Sequence, residues 1–146
     1  MEQPNKENTL YLPIKQVYFD AIIDGTKKIE YREIKEGITA NRYLIKDERT
    51  KYALNPDVVT DFDREYFIDD IINGGFPFLP RRYKYLSLAV GYAKERDTAI
   101  VEVTDFSFHP ERIRKDANGA PVFAFWIEEF HLGKVIELHR KDEGKA

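Results

Sequence analysis

The stretch Tyr18–Arg32, YFDAIIDGTKKIEYR, reads as a short helix, a stop and the start of a strand. The helix covers 16–24, with Val17, Ala21 and Ile22 at helical spacing and Tyr18 and Phe19 beside them. Gly25 stands where a left-handed residue ends a helix. The strand follows over 28–33. Glu30 and Arg32 lie two apart, so they share a face, and Tyr31 alternates with them toward the core. Lys27 is out of phase with Glu30 and joins it only if the chain twists at Gly25, which a glycine permits. Lys28, in phase with Glu30, is its rival. An ammonium, a carboxylate and a guanidinium together can hold an anion and read the edge of a polar ring.

On either side of this stretch the chain alternates strands with turns. Residues 10–15 form a first strand in which Pro13 demands an edge or a bend. Residues 41–46 fit a strand or a helical turn. Thr60–Asn73 reads as a helix, capped by Thr60, favoured at its start by Asp61 and Asp63, and ended by Gly74-Gly75. Phe76-Pro77-Phe78-Leu79-Pro80 is an extended apolar connector. Tyr83–Tyr92 and Thr98–Phe108 make an antiparallel hairpin around a charged turn at 94–97. A polar loop over 109–121, containing Asn118-Gly119, leads to strands at 122–130 and 135–140, with a turn at Leu132-Gly133-Lys134. About six strands with one or two helices predict an α+β fold, a small and mostly antiparallel barrel with flanking helices. One domain covers 10–140, a longer helical insertion occupies 35–80 within it, and residues 1–9 and 141–146 are a frayed polar tail and a charged tail.

Composition narrows the function. With 34% charged residues against 42% hydrophobic ones, the 146-residue chain folds rather than staying disordered. Nine Tyr and ten Phe suit both a strand-rich core and a surface that stacks bases. A net charge of −3 argues against a protein that coats duplexes, so any nucleic-acid contact is local. The absence of Cys excludes disulfides, thiolate metal sites and a cysteine nucleophile. No apolar run reaches the roughly 20 residues of a membrane span, and the polar start MEQPNKENT is unlike a signal peptide, which predicts a cytoplasmic protein without membrane partners.

A second basic cluster, Arg81, Arg82 and Lys84 interleaved with Tyr83 and Tyr85, suits phosphate contact with base stacking, and equally an exposed loop entering a strand. Trp126 belongs to packing. His109, His131 and His139 lack metal-ligand spacing, and neither a phosphate loop nor a nucleophile elbow occurs. The pattern requires no cofactor and no metal.

Gly25-Thr26-Lys27-Lys28-Ile29-Glu30-Tyr31-Arg32, placed after the first helix, resembles the G-x-K-x-x-E-x-R hallmark of the ASCH domain, a branch of the PUA-like superfamily. The likeness extends through Leu12–Lys15, the hairpin over 83–108 and Leu132–Ile136. It implies a PUA-like β-barrel whose cleft is lined by the motif and binds RNA or a nucleotide-like ligand. Lys27 and Arg32 would carry positive charge, Glu30 would accept from a base edge, and Arg81, Arg82 and Lys84 would form a rim. Some small members are amidohydrolases acting on N4-acetylcytidine, and nuclease activity is associated with others; either activity would rest on Lys27 and Glu30. The amidohydrolases carry Thr three residues after the Lys, where this chain has Glu30, and the region of their catalytic Glu does not align with this chain, with Glu111 the candidate there. An accessory domain that recruits a protein partner is the remaining alternative.

Overall fold

Among the described residues nine elements follow one another: β1 (Thr9–Ile14), α1 (Gln16–Asp24), β2 (Ile29–Ile34), α2 (Ala40–Tyr43), β3 (Lys46–Asp47), β4 (Lys51–Tyr52), β5 (Tyr85–Val90), β6 (Thr98–Lys115) and β7 (Pro121–His139). They are those of a computed structural model that describes residues 2–72, 75–119 and 121–141. The fold is α+β. Five strands form a mixed sheet in the order β1-β5-β6-β7-β2, and β3 pairs with β4 apart from it. β1 runs parallel to β5, which is antiparallel to β6. The sheet is thus mixed instead of wholly antiparallel, and among the described residues its order of pairings runs from β1 to β2 without closing. The parallel pair arises because β1 and β5 are joined by a long crossover instead of a hairpin turn. No helix among the described residues is long and apolar enough to cross a membrane.

The chain divides into two compact units. The first comprises Met1–Glu30, Arg82–Phe106 and Phe130–Ala146. Its core is one face of the sheet: Leu10, Leu12 and Ile14 from β1, Leu86 and Leu88 from β5, Ala99 and Val101 from β6, with Phe19 and Ile22 of α1. Each fully buried aliphatic side chain contributes about 1.5–3 kcal/mol. Pro13 sits on the edge strand, where its missing N–H breaks no ladder. On α1, Val17 and Tyr18 are exposed, so the buried stripe is Phe19 and Ile22, narrower than expected. Residues 2–9 are no frayed tail. The Asn5 side chain accepts from the backbone N–H groups of Glu7 and Asn8, and Asn8 Oδ1 accepts from the Asn5 N–H. The Asn8 carbonyl then accepts from the N–H groups of Lys84 and Tyr85, which ties the segment to β5. At the other end buried Asp97 accepts from Gln16 Nε2 at 2.9 Å, Arg140 Nη1 at 3.0 Å and the Lys141 N–H at 2.9 Å. Residues 142–146 of the charged tail lie outside the described residues.

The second unit comprises Tyr31–Arg81 and Ser107–Glu129. The segment expected as an insertion over 35–80 therefore builds a core of its own, together with the distal parts of β6 and β7. The Phe76–Pro80 connector runs through that core. Phe76 stacks on Phe108 with centroids 4.5 Å apart and meets Trp126 and Phe78 edge-on at 5.1 and 5.7 Å. The Leu79 N–H donates to Ala53, and Ile45 N–H donates to Leu79, so the connector is held on its backbone as well. Trp126 is buried and donates Nε1–H to the Asp70 carbonyl at 3.2 Å.

Three sequence expectations fail here for physical reasons. Residues 60–72 form turns, not a helix; Asn73 lies outside the described residues. The Asp63 and Phe67 N–H groups donate to the side chains of Asp61 and Asp70, and such side-chain bonds compete with helical ones. Tyr66 and Ile68 are buried while Phe67 is exposed, which is an extended alternation. The loop expected over 109–121 shrinks to a turn at Asp116–Gly119, with Gly119 at φ 82° and its N–H donating to Asp116. The turn expected at Leu132–Lys134 is absent, because β7 runs through it. Gly133 is there for closeness, not for a bend: a Cβ on it would lie 2.8 Å from Thr104 Cγ2 and 3.3 Å from Glu102 Cβ.

Candidate functional site

The motif begins at the end of α1. Gly25 takes φ 86°, and its N–H donates to Ile22 while that of Lys27 reaches back to Ala21 at 3.0 Å. Thr26 is consumed by the same closure, with its hydroxyl donating to Asp24 Oδ1 at 2.6 Å. That bond holds the Asp24 carboxyl below its ordinary value. The turn delivers Lys27 to a half-buried position, with Nζ 5.5 Å from the centroid of the Tyr18 ring. Tyr18, expected to pack, instead presents an exposed face on which a cation rests.

Strand β2 places Glu30 and Arg32 inward and leaves Glu33 exposed. Glu30 is 7% exposed and Ile34 is fully buried, Arg32 between them is half-buried, and Tyr31 is 48% exposed. Glu30 and Arg32 share a face, as their spacing requires. The expected phase of Tyr31 is corrected, because carboxylate and guanidinium hold the inner side and the aromatic ring is turned out. Glu30 belongs with Lys27 to the first unit, and Arg32 to the second. Lys28, the rival lysine, is exposed, and its carbonyl accepts from the Leu132 N–H at 2.9 Å.

The three residues of the basic cluster are used differently. Arg81 turns onto the backbone of its own unit, with Nε donating to the Leu44 carbonyl at 3.0 Å. Arg82 lies over the Phe106 ring with its guanidinium carbon 5.6 Å from the centroid. Lys84 forms an ion pair with Glu2, and their hydrogen bond and charges raise the lysine and lower the carboxyl. Arg81 is thereby structural, whereas Arg82 and Lys84 keep exposed side chains.

Two features were missed from sequence. Glu128 lies on the buried phase of β7, between Trp126 and Phe130, with no exposed surface. Neither carboxylate oxygen has a hydrogen-bond partner among the described residues. Burial pushes this carboxyl up to about 8, so it is protonated and neutral at pH 7. The signal was present in the alternation Trp126-Ile127-Glu128-Glu129-Phe130, where a carboxylate occupies an apolar phase. The other is a cross-strand contact. His109 Nδ1 lies 2.6 Å from Glu129 Oε1, and its Nε2 lies 3.8 Å from Glu111 Oε2. A carboxylate that accepts from Nδ1–H leaves Nε2 as the basic nitrogen, but β6 and β7 had to be paired before these residues could be joined. Glu111 thus lies beside His109 but beyond hydrogen-bonding distance. Among the described residues no group of three or more His, Cys, Asp or Glu is placed to hold a metal ion.

Comparison of the chain with family models, curated proteins and solved structures finds no match in any of the three.

Proposed function

We propose that the chain is an ASCH-type, PUA-like domain that binds RNA or a nucleotide-like ligand through Lys27, Glu30 and Arg32. The observation that carries this reading is the phase of β2: Glu30 and Arg32 hold the inner side and Tyr31 the outer one. Placing charge inward and an aromatic ring outward opposes burial energetics. The inversion has a use if the inward groups meet a polar ligand, the guanidinium matching a phosphate and the carboxylate accepting from an exocyclic amine. Lys27 over Tyr18 adds a positive charge and an exposed ring to the same motif.

The test titrates wild type and the Lys27→Ala/Arg32→Ala double variant with labelled single-stranded RNA and with nucleotides. Bonds to charged groups contribute about 1.5–3 kcal/mol each, so the double variant should bind more than about 100-fold more weakly while its circular dichroism is unchanged. Full affinity in a folded double variant rules the reading out. N4-Acetylcytidine is included in the same incubations, and product that depends on Lys27 would make the site catalytic.

A further inference from the structure

The first unit carries a second surface whose chemistry the motif does not use. The register of β1, β5 and β6 aligns Tyr11, Ser87 and Ile100 in one row across three strands, on the side opposite the leucine core. Pro13, Ala89 and Thr98 form the next row. A sheet face opposite a core is ordinarily covered or polar. Here a hollow of about 270 Å³ opens over the rows, with Arg96, Glu137 and His139 among its walls. A second depression of about 360 Å³ adjoins it, sharing Tyr11, Ser87 and Ile100 and flanked by Pro4 and Lys6. Through these shared residues the two run on as one trough, with Arg96 lining the first depression and Lys6 the second.

We propose that this trough binds single-stranded nucleic acid, with a base stacked on Tyr11 and the phosphates on either side held by Lys6 and Arg96. Tyr11 is 47% exposed, and its ring is held on a rigid strand instead of a loop. Arg96 Nη1 donates to the Gly91 carbonyl at 3.2 Å, which fixes the guanidinium at the trough's end while other donors remain on its fork. Tyr92 lies on the same loop and is 84% exposed, a second ring available for stacking. Ser87 and Thr98 offer hydroxyls from the floor. Glu137 repels phosphate from its own surroundings and can accept from a base amino group, as carboxylates do with cytosine. Cations on both sides of one stacking ring fit a strand with a phosphate on each side of the base, and a mononucleotide satisfies only one of them. The arrangement of sheet, ring and flanking cations is one that proteins use for single strands. This inference is independent of the motif reading.

The test is fluorescence anisotropy of the full chain with labelled single-stranded RNA and DNA of the same sequence, at two salt concentrations. Variants are Tyr11→Ala, Tyr11→Phe and Arg96→Gln, each also made in the Lys27→Ala/Arg32→Ala background. Stacking contributes about 1–3 kcal/mol per base, so Tyr11→Ala should weaken binding by about 5- to 150-fold, Tyr11→Phe should retain it, and Arg96→Gln should flatten the salt dependence. In the Lys27→Ala/Arg32→Ala background, where the motif no longer contributes, these ratios read the trough alone. RNA and DNA affinities then say which strand the trough prefers. Tyr11→Ala at full affinity in the Lys27→Ala/Arg32→Ala background overturns the proposal, as does AMP competing there as well as the oligonucleotide. Dimerisation that is lost in Tyr11→Ala, with no oligonucleotide binding, also overturns it and makes the face a self-association surface.

Discussion

Replacing Glu128 by Gln should change how stability depends on pH. The carboxyl is buried, and its value rises from an ordinary 4.5 to about 8 in the folded protein. The folded state therefore holds this proton more tightly than the unfolded chain does. Its contribution is fully favourable below about 4.5 and is lost as pH rises through about 8. Between those values each pH unit costs about 1.4 kcal/mol. The cost of keeping the acid neutral is roughly 3 kcal/mol at pH 7 and roughly 5 kcal/mol above pH 8. Gln has nearly the same shape and carries no proton to lose. Its amide has its own burial cost, but that cost does not vary with pH, so the informative quantity is the slope. Urea denaturation of both proteins between about pH 5 and pH 8 should show the Gln variant gaining on wild type throughout, by about 1.4 kcal/mol per pH unit. Parallel profiles would refute the argument, since they would require Glu128 to be ionised when folded or to be reached by water.

Asp97→Asn should destabilise the first unit by roughly 1–3 kcal/mol at neutral pH, because three donors converge on a buried carboxylate. The Lys141 N–H bond, burial-opposed but aided by Gln16 and Arg140, holds this carboxyl below its ordinary 3.8. Its stabilisation is present above that value and lost as pH falls through the lowered one, so the difference between the two proteins should vanish in acid; thermal melts at both pH values test this. Gly133→Ala should cost about 1–3 kcal/mol through its clash with Thr104 Cγ2, by analogy with overpacking elsewhere. Thr104→Ser removes that methyl group, and the double variant should recover most of the loss in a denaturant titration. A Gly133→Ala variant as stable as wild type would show that β6 and β7 separate without cost.

The residues that were easiest to read are those whose conformation is set locally. The helix ends at Asp24 as its spacing and Gly25 require, and Pro13 lies on an edge. Glu30 and Arg32 share a face because a strand permits nothing else. What failed depended on partners distant in sequence. Gly133 looked like a turn because nothing local shows that Thr104 will press against it. Residues 60–72 carried the composition of a helix start, yet Asp61 and Asp70 bond to nearby N–H groups and the apolar residues alternate. Tyr31 was assigned inward because aromatic rings usually are. His109 and Glu129 meet only across the long hairpin, and the trough around Tyr11 exists only once β1, β5 and β6 are aligned.

The sheet order also sets a timetable. The motif strand β2 ends at Ile34, but its neighbour β7 begins at Pro121, and β1 must wait for β5. At a synthesis rate of ~5–20 residues per second, the motif leaves the ribosome roughly 5–20 seconds before the strand it pairs with. Through that interval Lys27 is tied to α1 by its own N–H, while β2 has yet to meet its sheet neighbour. Local bonds at Asp24, Thr26 and Ala21 are the ones available to a nascent chain. The closure from Ala21 to Lys27 can thus form before β7 is made, whereas Glu30 and Arg32 wait for their sheet neighbour; a variant with a weakened turn should show its defect first in yield from translation.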